Sequence, residues 1–150
     1  MTVQKADTAD LQEILDLQLL AYQSEALLLN NFLIPPLTQT LAELEAEFSS
    51  GIFLKATDEK NTIIGSVRGY SDKGTLYVGK LIVHPDRQGK GIGTLLLHQI
   101  ESEWPHSRYE LFTSSKSIRN INLYEQVGYR PFTEKSLSGD LTFIYLEKIV

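Results

Sequence analysis

The sequence predicts a single α/β domain built on a mixed sheet. Its 150 residues suit one domain with one hydrophobic core. In some segments the apolar residues recur with the period of a helix, and in others they recur at every second residue, as in a strand. Three strand segments follow one another in the middle of the chain, and helices separate the later ones. The predicted order is β-α-α-β-β-β-α-β-α-β-β.

The N-terminal elements are a polar strand over residues 1–6 and a helix over residues 7–22. Apolar residues recur at helical spacing through this helix, and Asp7 or Thr8 is available to cap its first turn.

A loop and a second helix come next. Residues 27–37 are apolar without a period, and Pro35 and Pro36 lack the amide donors that would continue a helix. Thr40 and Glu43 then have the spacing of a reciprocal capping box, so a helix begins there.

The remaining two thirds of the chain alternate between strands and helices. Three antiparallel strands joined by polar turns cover residues 52–57, 62–70 and 75–83. Helical spacing predicts a helix over residues 91–104, a short strand follows, and Gly128 marks the end of another helix. The last elements cover residues 108–113, 118–127, 130–135 and 141–149, with a hairpin turn around Ser138-Gly139-Asp140.

The composition disfavours several classes of function. No apolar run approaches the roughly 20 residues that cross a bilayer, and the polar N-terminus is unlike a signal peptide, so we expect a cytoplasmic protein. A net charge of -5 with scattered basic residues disfavours nucleic acid and membrane surfaces, and leaves a small-molecule or peptide amine as the expected partner. The absence of cysteine excludes thiolate zinc sites and a cysteine nucleophile, and the three histidines lack the spacing of a metal site.

The most informative stretch is a strand that runs into a glycine-rich turn and then a helix. Successive glycines let backbone amides converge, and the first helical turn adds unpaired donors with a partial positive charge. Such a turn attracts phosphate or diphosphate. The spacing is neither that of a P-loop nor that of a dinucleotide-binding fingerprint. The turn reads Gln88-Gly89-Lys90-Gly91-Ile92-Gly93.

These residues resemble the Q/R-x-x-G-x-G/A signature of the GCN5-related N-acetyltransferases, the GNAT family. Residues 81–85 look like the family's fourth strand ending in V-x-P, and residues 117–129 look like its later helix motif. The resemblance covers nearly the whole chain. It implies an acyl-CoA N-acyltransferase fold, acetyl-CoA as cofactor, and transfer of an acetyl group to a primary amine.

The resemblance also implies a set of cofactor contacts. The amides of the glycine-rich turn would hold the diphosphate, Arg87 and Lys90 would add positive charge, and the preceding strand would pair with the pantetheine arm. An amide near Val83 would polarise the thioester carbonyl. The implied contacts are Leu81, Ile82, Val83, Arg87, Gln88, Gly89, Lys90, Gly91, Ile92, Gly93, Thr94, Asn120 and Tyr124.

Tyr124 matches the family's tyrosine near the cofactor sulfur, where a phenol can protonate the leaving thiolate. Packing of the helix against the sheet is the alternative role for this aromatic side chain. Asn120 lies four residues earlier and therefore on the same helical face. It either contacts the pantetheine arm or is a solvated polar residue.

Two positions depart from the family's pattern. Ser117 stands where many members have Asn, and Tyr77 stands where related strands often have a Glu that acts as base. The acceptor amine, with a pKa of about 10.4, must nevertheless lose a proton. Either a water chain beside Tyr77 or a carboxylate such as Glu25 would accept it, although Glu25 is expected to be a surface residue.

The acceptor pocket is expected beside the loop at residues 30–37. Phe32 would either line the pocket or cover the core, and Tyr22, Tyr70 and Tyr77 are further candidates for acceptor contacts. The departure at Tyr77 also allows a non-catalytic CoA-binding or regulatory module on the same fold. Edge strands near the C-terminus are compatible with a homodimer.

Overall fold

A computed structural model describes residues 1–139 and 141–150 and shows helices on both faces of a seven-stranded sheet. The predicted turn residue Asp140 lies outside the described residues. The strands are β1 Thr2–Lys5, β2 Ile52–Thr57, β3 Ile63–Asp72, β4 Thr75–Val83, β5 Arg108–Ser114, β6 Arg130–Ser138 and β7 Leu141–Ile149. The helices are α1 Leu11–Ala21, α2 Gln23–Leu29, α3 Pro35–Thr38, α4 Leu41–Ser50, α5 Ile92–Glu103 and α6 Ile118–Val127.

The strand order is β1-β2-β3-β4-β5-β7-β6, and every neighbouring pair is antiparallel except β4 and β5. The parallel pair is possible because α5 carries the chain back across the sheet between these strands. The mixed α/β sheet that the sequence predicts is therefore confirmed. So is the Thr40–Glu43 capping box, in which each side chain accepts a hydrogen bond from the other residue's backbone N–H.

Strands β4 and β5 pair only where they begin. Their register covers Thr75 to Tyr77 on β4 and Arg108 to Glu110 on β5, after which β5 continues against β7 alone. Strand β4 stays paired with β3 on its other edge as far as Val83. A wedge-shaped opening thus separates the two central strands, and the second half of β4 presents a free backbone edge to it.

Two apolar cores lie on opposite faces of the sheet. The larger core packs α5 and α6 against the sheet and includes the fully buried Leu96, Ile100 and Leu146. The smaller core packs α1 and α4 on the other face around Leu11 and Leu44. Among the described residues, none of the helices combines the length and apolar character needed to span a membrane.

The predicted loop at residues 27–37 is wrong in two places. Helix α2 extends to Leu29, and Asn30 then ends it in the left-handed conformation. Pro35 and Pro36 occupy the first turn of α3. A proline is tolerated there because the first helical amides have no acceptor within the helix.

A buried polar network fixes α3 and α4 over the sheet. The Arg68 guanidinium, which is 5% exposed, donates through Nη1 to Glu47 Oε2 at 3.0 Å and through Nη2 to Gln18. Gln18 in turn donates to the Pro36 carbonyl at 2.8 Å and to Gln39 Oε1 at 2.9 Å. The network joins α1, the α3 segment and α4 to β3, so it anchors the segment that follows α2.

Gly65 on β3 permits the close approach of α5. A β-carbon at this position would lie 3.0 Å from Leu96 Cδ1 and 3.1 Å from Ile92 Cγ2. At Gly79 on β4, by contrast, an added β-carbon meets no atom within 4 Å. The packing at Gly65 therefore sets how deeply the first turn of α5 sits against the sheet.

Gly65→Ala should lower the free energy of unfolding by about 1–3 kcal/mol, because a well-packed core must shift to admit the methyl group. Gly79→Ala is the matched control and should change it by less than about 0.5 kcal/mol. Urea unfolding of both variants followed by circular dichroism measures the difference. Equal stability of the two variants would contradict the tight packing described for Gly65.

Candidate functional site

The glycine-rich turn between β4 and α5 presents a row of free backbone donors. Within the described chain, no N–H from Gln88 to Thr94 donates a hydrogen bond to another group. Gly89 and Gly91 have φ angles of +75° and +81°, which an L side chain rarely adopts, and an added β-carbon at either would project into open space. The turn therefore exposes its amides at the positive end of a twelve-residue helix.

The side chains around this turn are held from neighbouring elements. Arg87 pairs with Asp58 of the β2–β3 turn at 3.1 Å. Arg119 on α6 donates to Gln88 Oε1 at 2.5 Å. Lys90 is exposed at the tip. Three cationic side chains thus surround the free amides, and the charge of one is partly balanced by a carboxylate.

Residues of the second half of β4 alternate between the two cores. Ile82 is buried on the α1 side, whereas Leu81 and Val83 pack toward α5. Gly93 permits that packing, since a β-carbon there would lie 3.7 Å from Leu81 Cδ2 and 3.2 Å from Leu123 Cδ2. The side chains of β4 are therefore occupied, and its backbone edge is what faces the opening. The side chain of Ile92 is likewise buried in the larger core, so only its backbone is available to a ligand.

Tyr124 on α6 is buried beside Tyr22, which lies between α1 and α2. Burial, followed by the effects of Tyr22 and of the Glu25 carboxylate, raises the pKa of the Tyr124 phenol well above its ordinary value. Burial also raises the pKa of Tyr22 to about 12, against the lowering effect of Arg68 and with a smaller raising effect from Glu25. Both phenols are therefore neutral and able to donate a proton at pH 7.

Asn120, one helical turn before Tyr124, points toward β5. Its Nδ2 lies 3.4 Å from Thr113 Oγ1, which is a long and weak hydrogen bond. Asn120 is half-buried beside Thr113 of β5, and its contact with the pantetheine arm remains a prediction.

The other predicted acceptor residues lie farther out. Tyr70 and Tyr77 stack on each other with ring centroids 5.0 Å apart, and Tyr70 is 56% exposed. In the loop before α3, Phe32 is exposed and Ile34 alone is buried, so Phe32 does not cover the core.

Sequence reasoning gave too little weight to two charged residues near the opening. Glu25 is half-buried, not on the surface, and accepts a hydrogen bond from Ser117 Oγ at 2.7 Å. Lys80 lies in the β4 bulge with a φ of +49°, and burial, with Arg68 nearby, lowers the pKa of its ammonium. A bulge has no periodic signal, and the partners Glu25 and Ser117 are 92 residues apart.

Comparison with known protein families gives one match that covers more than half of the chain. The model of an acetyltransferase (GNAT) domain matches residues 49–131. This segment runs from the end of α4 to the start of β6 and contains the glycine-rich turn and Tyr124.

Among curated proteins, an uncharacterized N-acetyltransferase, ycf52, from Gracilaria tenuistipitata var. liui is 24% identical over 95 residues, which is 63% of this chain and 52% of that protein. The chain thus spans about half the length of this relative. The fold is shared with the ribosomal-protein-S18-alanine N-acetyltransferase from Escherichia coli, with a TM-score of 0.81, 15% identity, and coverage of 99% and 92% of the two chains. A phosphinothricin acetyltransferase from Sinorhizobium meliloti, solved with AcCoA, has a TM-score of 0.78 at 19% identity, with 99% and 88% covered.

The raised pKa of the partly buried Tyr22 should make the protein less stable in alkali. An exposed tyrosine in the unfolded chain loses its proton near pH 10, whereas folded Tyr22 keeps its proton until about pH 12. The unfolded state then binds fewer protons, so the stability present below pH 10 is lost as the pH rises to 12, by about 1.4 kcal/mol per pH unit for this group.

Tyr22→Phe should therefore make the fall in unfolding free energy between pH 10 and 12 shallower. Urea unfolding at half-unit pH steps measures this slope. Between pH 7 and 9 the variant and the wild type should differ by a constant amount, which serves as the internal control. An identical alkaline slope in both proteins would show that Tyr22 ionises normally.

Proposed function

This chain belongs to the GNAT acetyltransferase family, and from that premise we propose that it transfers an acetyl group from acetyl-CoA directly to a primary amine. The observation that carries the proposal is the row of seven free N–H groups from Gln88 to Thr94 beside the unpaired edge of β4. A diphosphate needs several donors and positive charge in one place, and an extended pantetheine arm needs an unpaired strand edge. The described residues fit both parts of acetyl-CoA.

Acetyl-CoA supplies an activated acyl group on a thioester and a thiol leaving group. The amides of residues 88–94 would bind the diphosphate, with Lys90 and Arg119 adding charge-assisted contacts. The free edge of β4 would hold the arm as an added strand. An amide near Val83 would stabilise negative charge that develops on the carbonyl oxygen.

Tyr124 is the proposed proton donor. Its buried phenol stays neutral at pH 7 and can protonate a departing thiolate. The chain contains no cysteine, so a thiol-linked acyl-enzyme is excluded and the amine attacks the thioester directly.

The acceptor class is an amine, and the fold does not choose among amines. Proteins with this fold include, by name, acetyltransferases of ribosomal protein S18 alanine, phosphinothricin and spermidine. Their low identity to this chain carries no acceptor across. A second candidate function, a CoA-binding regulatory module without catalysis, is favoured only by Tyr77 in the position where a Glu base is often found.

Calorimetric titration with coenzyme A and a thiol-release assay test the proposal together. The assay uses acetyl-CoA with lysine side-chain, peptide α-amino, polyamine and aminoglycoside acceptors. The proposed enzyme should bind coenzyme A and release thiol with at least one acceptor. Binding without thiol release favours the regulatory module, and no binding overturns both functions.

Gly91→Ala should weaken coenzyme A binding at least about 10-fold, because a left-handed alanine costs roughly 1–2 kcal/mol and turns the amides away from the diphosphate. Gly74→Ala is the matched control, since Gly74 has a similar φ of +86° in the β3–β4 turn. The control variant introduces the same backbone strain, but its affinity for coenzyme A, measured by calorimetry, should equal that of the wild type. Equal affinity of the two variants for coenzyme A would show that the glycine-rich turn does not take part in cofactor binding.

Tyr124→Phe should lower kcat by about 100-fold or more while leaving the affinity for coenzyme A within about 2-fold, because only the proton donor is lost. Tyr145→Phe on β7 serves as the matched control. Steady-state kinetics and calorimetry separate the two quantities. Unchanged turnover would leave Tyr124 with a packing role only.

A further inference from the structure

We propose that the Glu25 carboxylate of α2 receives the acceptor ammonium and accepts its proton. The proposal rests on the proposed amine acetyltransfer and assigns the base that the sequence leaves open. It also commits the site to acceptors that arrive as cations.

Glu25 is held in place by a hydrogen bond that joins two distant elements. Ser117 Oγ donates to Glu25 Oε1 at 2.7 Å, and Ser117 is itself 6% exposed at the residue that precedes α6. The bond therefore fixes α2 against the N-terminal end of α6. Ser117 has no role as a side-chain cap of α6, which leaves its hydroxyl free for Glu25.

The geometry of α6 brings the Tyr124 hydroxyl toward this carboxylate. Tyr124 is seven residues after Ser117, almost two complete helical turns, so the two side chains lie on one face. A long side chain on a helix leans toward the N-terminus, so the phenol extends back along α6 toward Ser117. The raising effect of Glu25 on the pKa of both Tyr124 and Tyr22 agrees with this proximity.

The second carboxylate oxygen is available to an acceptor. Among the described residues, Glu25 Oε2 accepts no hydrogen bond, and Glu25 takes part in none of the ion pairs. The titratable groups that it affects are the neutral phenols of Tyr22 from the α1–α2 junction and Tyr124 from α6, and the Arg68 guanidinium of β3 also acts on Tyr22. An ammonium would therefore meet one anion flanked by two neutral hydrogen-bonding groups.

Lys80 is a second charged side chain near the opening, and it is a poorer base for a cationic acceptor. The ammonium of Lys80 repels an incoming cation, and Arg68 and Glu47 are the charged groups that act on it. An ionised carboxylate attracts the acceptor and accepts its proton at the same position.

The step balances in protons and bonds. The acceptor nitrogen gives one proton to Glu25, and its lone pair then forms the C–N bond to the thioester carbonyl carbon as the C–S bond breaks. The thiolate takes a proton from Tyr124, and the second proton lost by nitrogen restores that phenol. Glu25 returns its proton to solvent, so one proton is released for each amide formed.

Glu25→Gln tests the assignment against Glu45→Gln, a matched change of an exposed carboxylate on α4. With the fastest amine of the panel, Glu25→Gln should lower kcat/KM at pH 7 by about 100-fold. The loss should shrink as the pH approaches the acceptor's own pKa of about 10, where solvent has already removed the proton. Coenzyme A affinity should stay within about 2-fold of the wild type.

Three outcomes overturn the assignment in distinguishable ways. A wild type without turnover on any amine removes the proposed function and Glu25 with it. An active wild type in which Glu25→Gln matches Glu45→Gln removes Glu25 alone. A loss of kcat/KM that is the same at every pH shows that Glu25 only supports the fold, and Ser117→Ala should then cause the same loss. If Glu25 is the base, Ser117 only positions it, so Ser117→Ala should cause a smaller loss that also shrinks at high pH.

Discussion

The proposed cofactor site depends on the parallel strands β4 and β5, which pair only where they begin and then separate. Strands β4 and β5 share only their first three paired residues. Beyond Tyr77, the edge of β4 that faces away from β3 therefore carries polar backbone groups that no strand among the described residues satisfies. An unpaired strand edge inside a sheet is costly unless a ligand or water takes up its hydrogen bonds. The glycine-rich turn continues directly from that edge, which places free amides and a free strand in one continuous line.

The two faces of the sheet are covered by different helices. On one face, α5 and α6 close over the larger core and position the glycine-rich turn and Tyr124. On the other face, the polar network around Arg68 holds α1, the α3 segment and α4. Helix α2 there carries Glu25, which is bonded to Ser117. In the proposed mechanism, the residues that bind the cofactor come from the first of these layers and the residues that receive the acceptor come from the second.

Much of this arrangement can be predicted from local sequence. The glycine spacing, the Thr40–Glu43 capping box and the three central strands depend on residues that are near one another in the chain. Helix α2 is absent from the sequence prediction because Leu27 and Leu28 are exposed, so its apolar residues form no buried stripe. The contact between Glu25 and Ser117 joins residues 92 positions apart, and the left-handed bulge at Lys80 follows from tertiary pairing. Neither leaves a pattern that propensity or periodicity can detect.

The existence of two separate cores has a dynamic consequence. Because the helical layer of α1 to α4 is held by the smaller core and the Arg68 network, it can open as a cooperative unit while the larger core and the sheet stay folded. Such an opening needs less free energy than global unfolding. Amides on this layer will therefore exchange with deuterium sooner than those of β3 or α5. In the proposed reaction, this opening would admit acceptors and release products while the glycine-rich turn keeps its conformation.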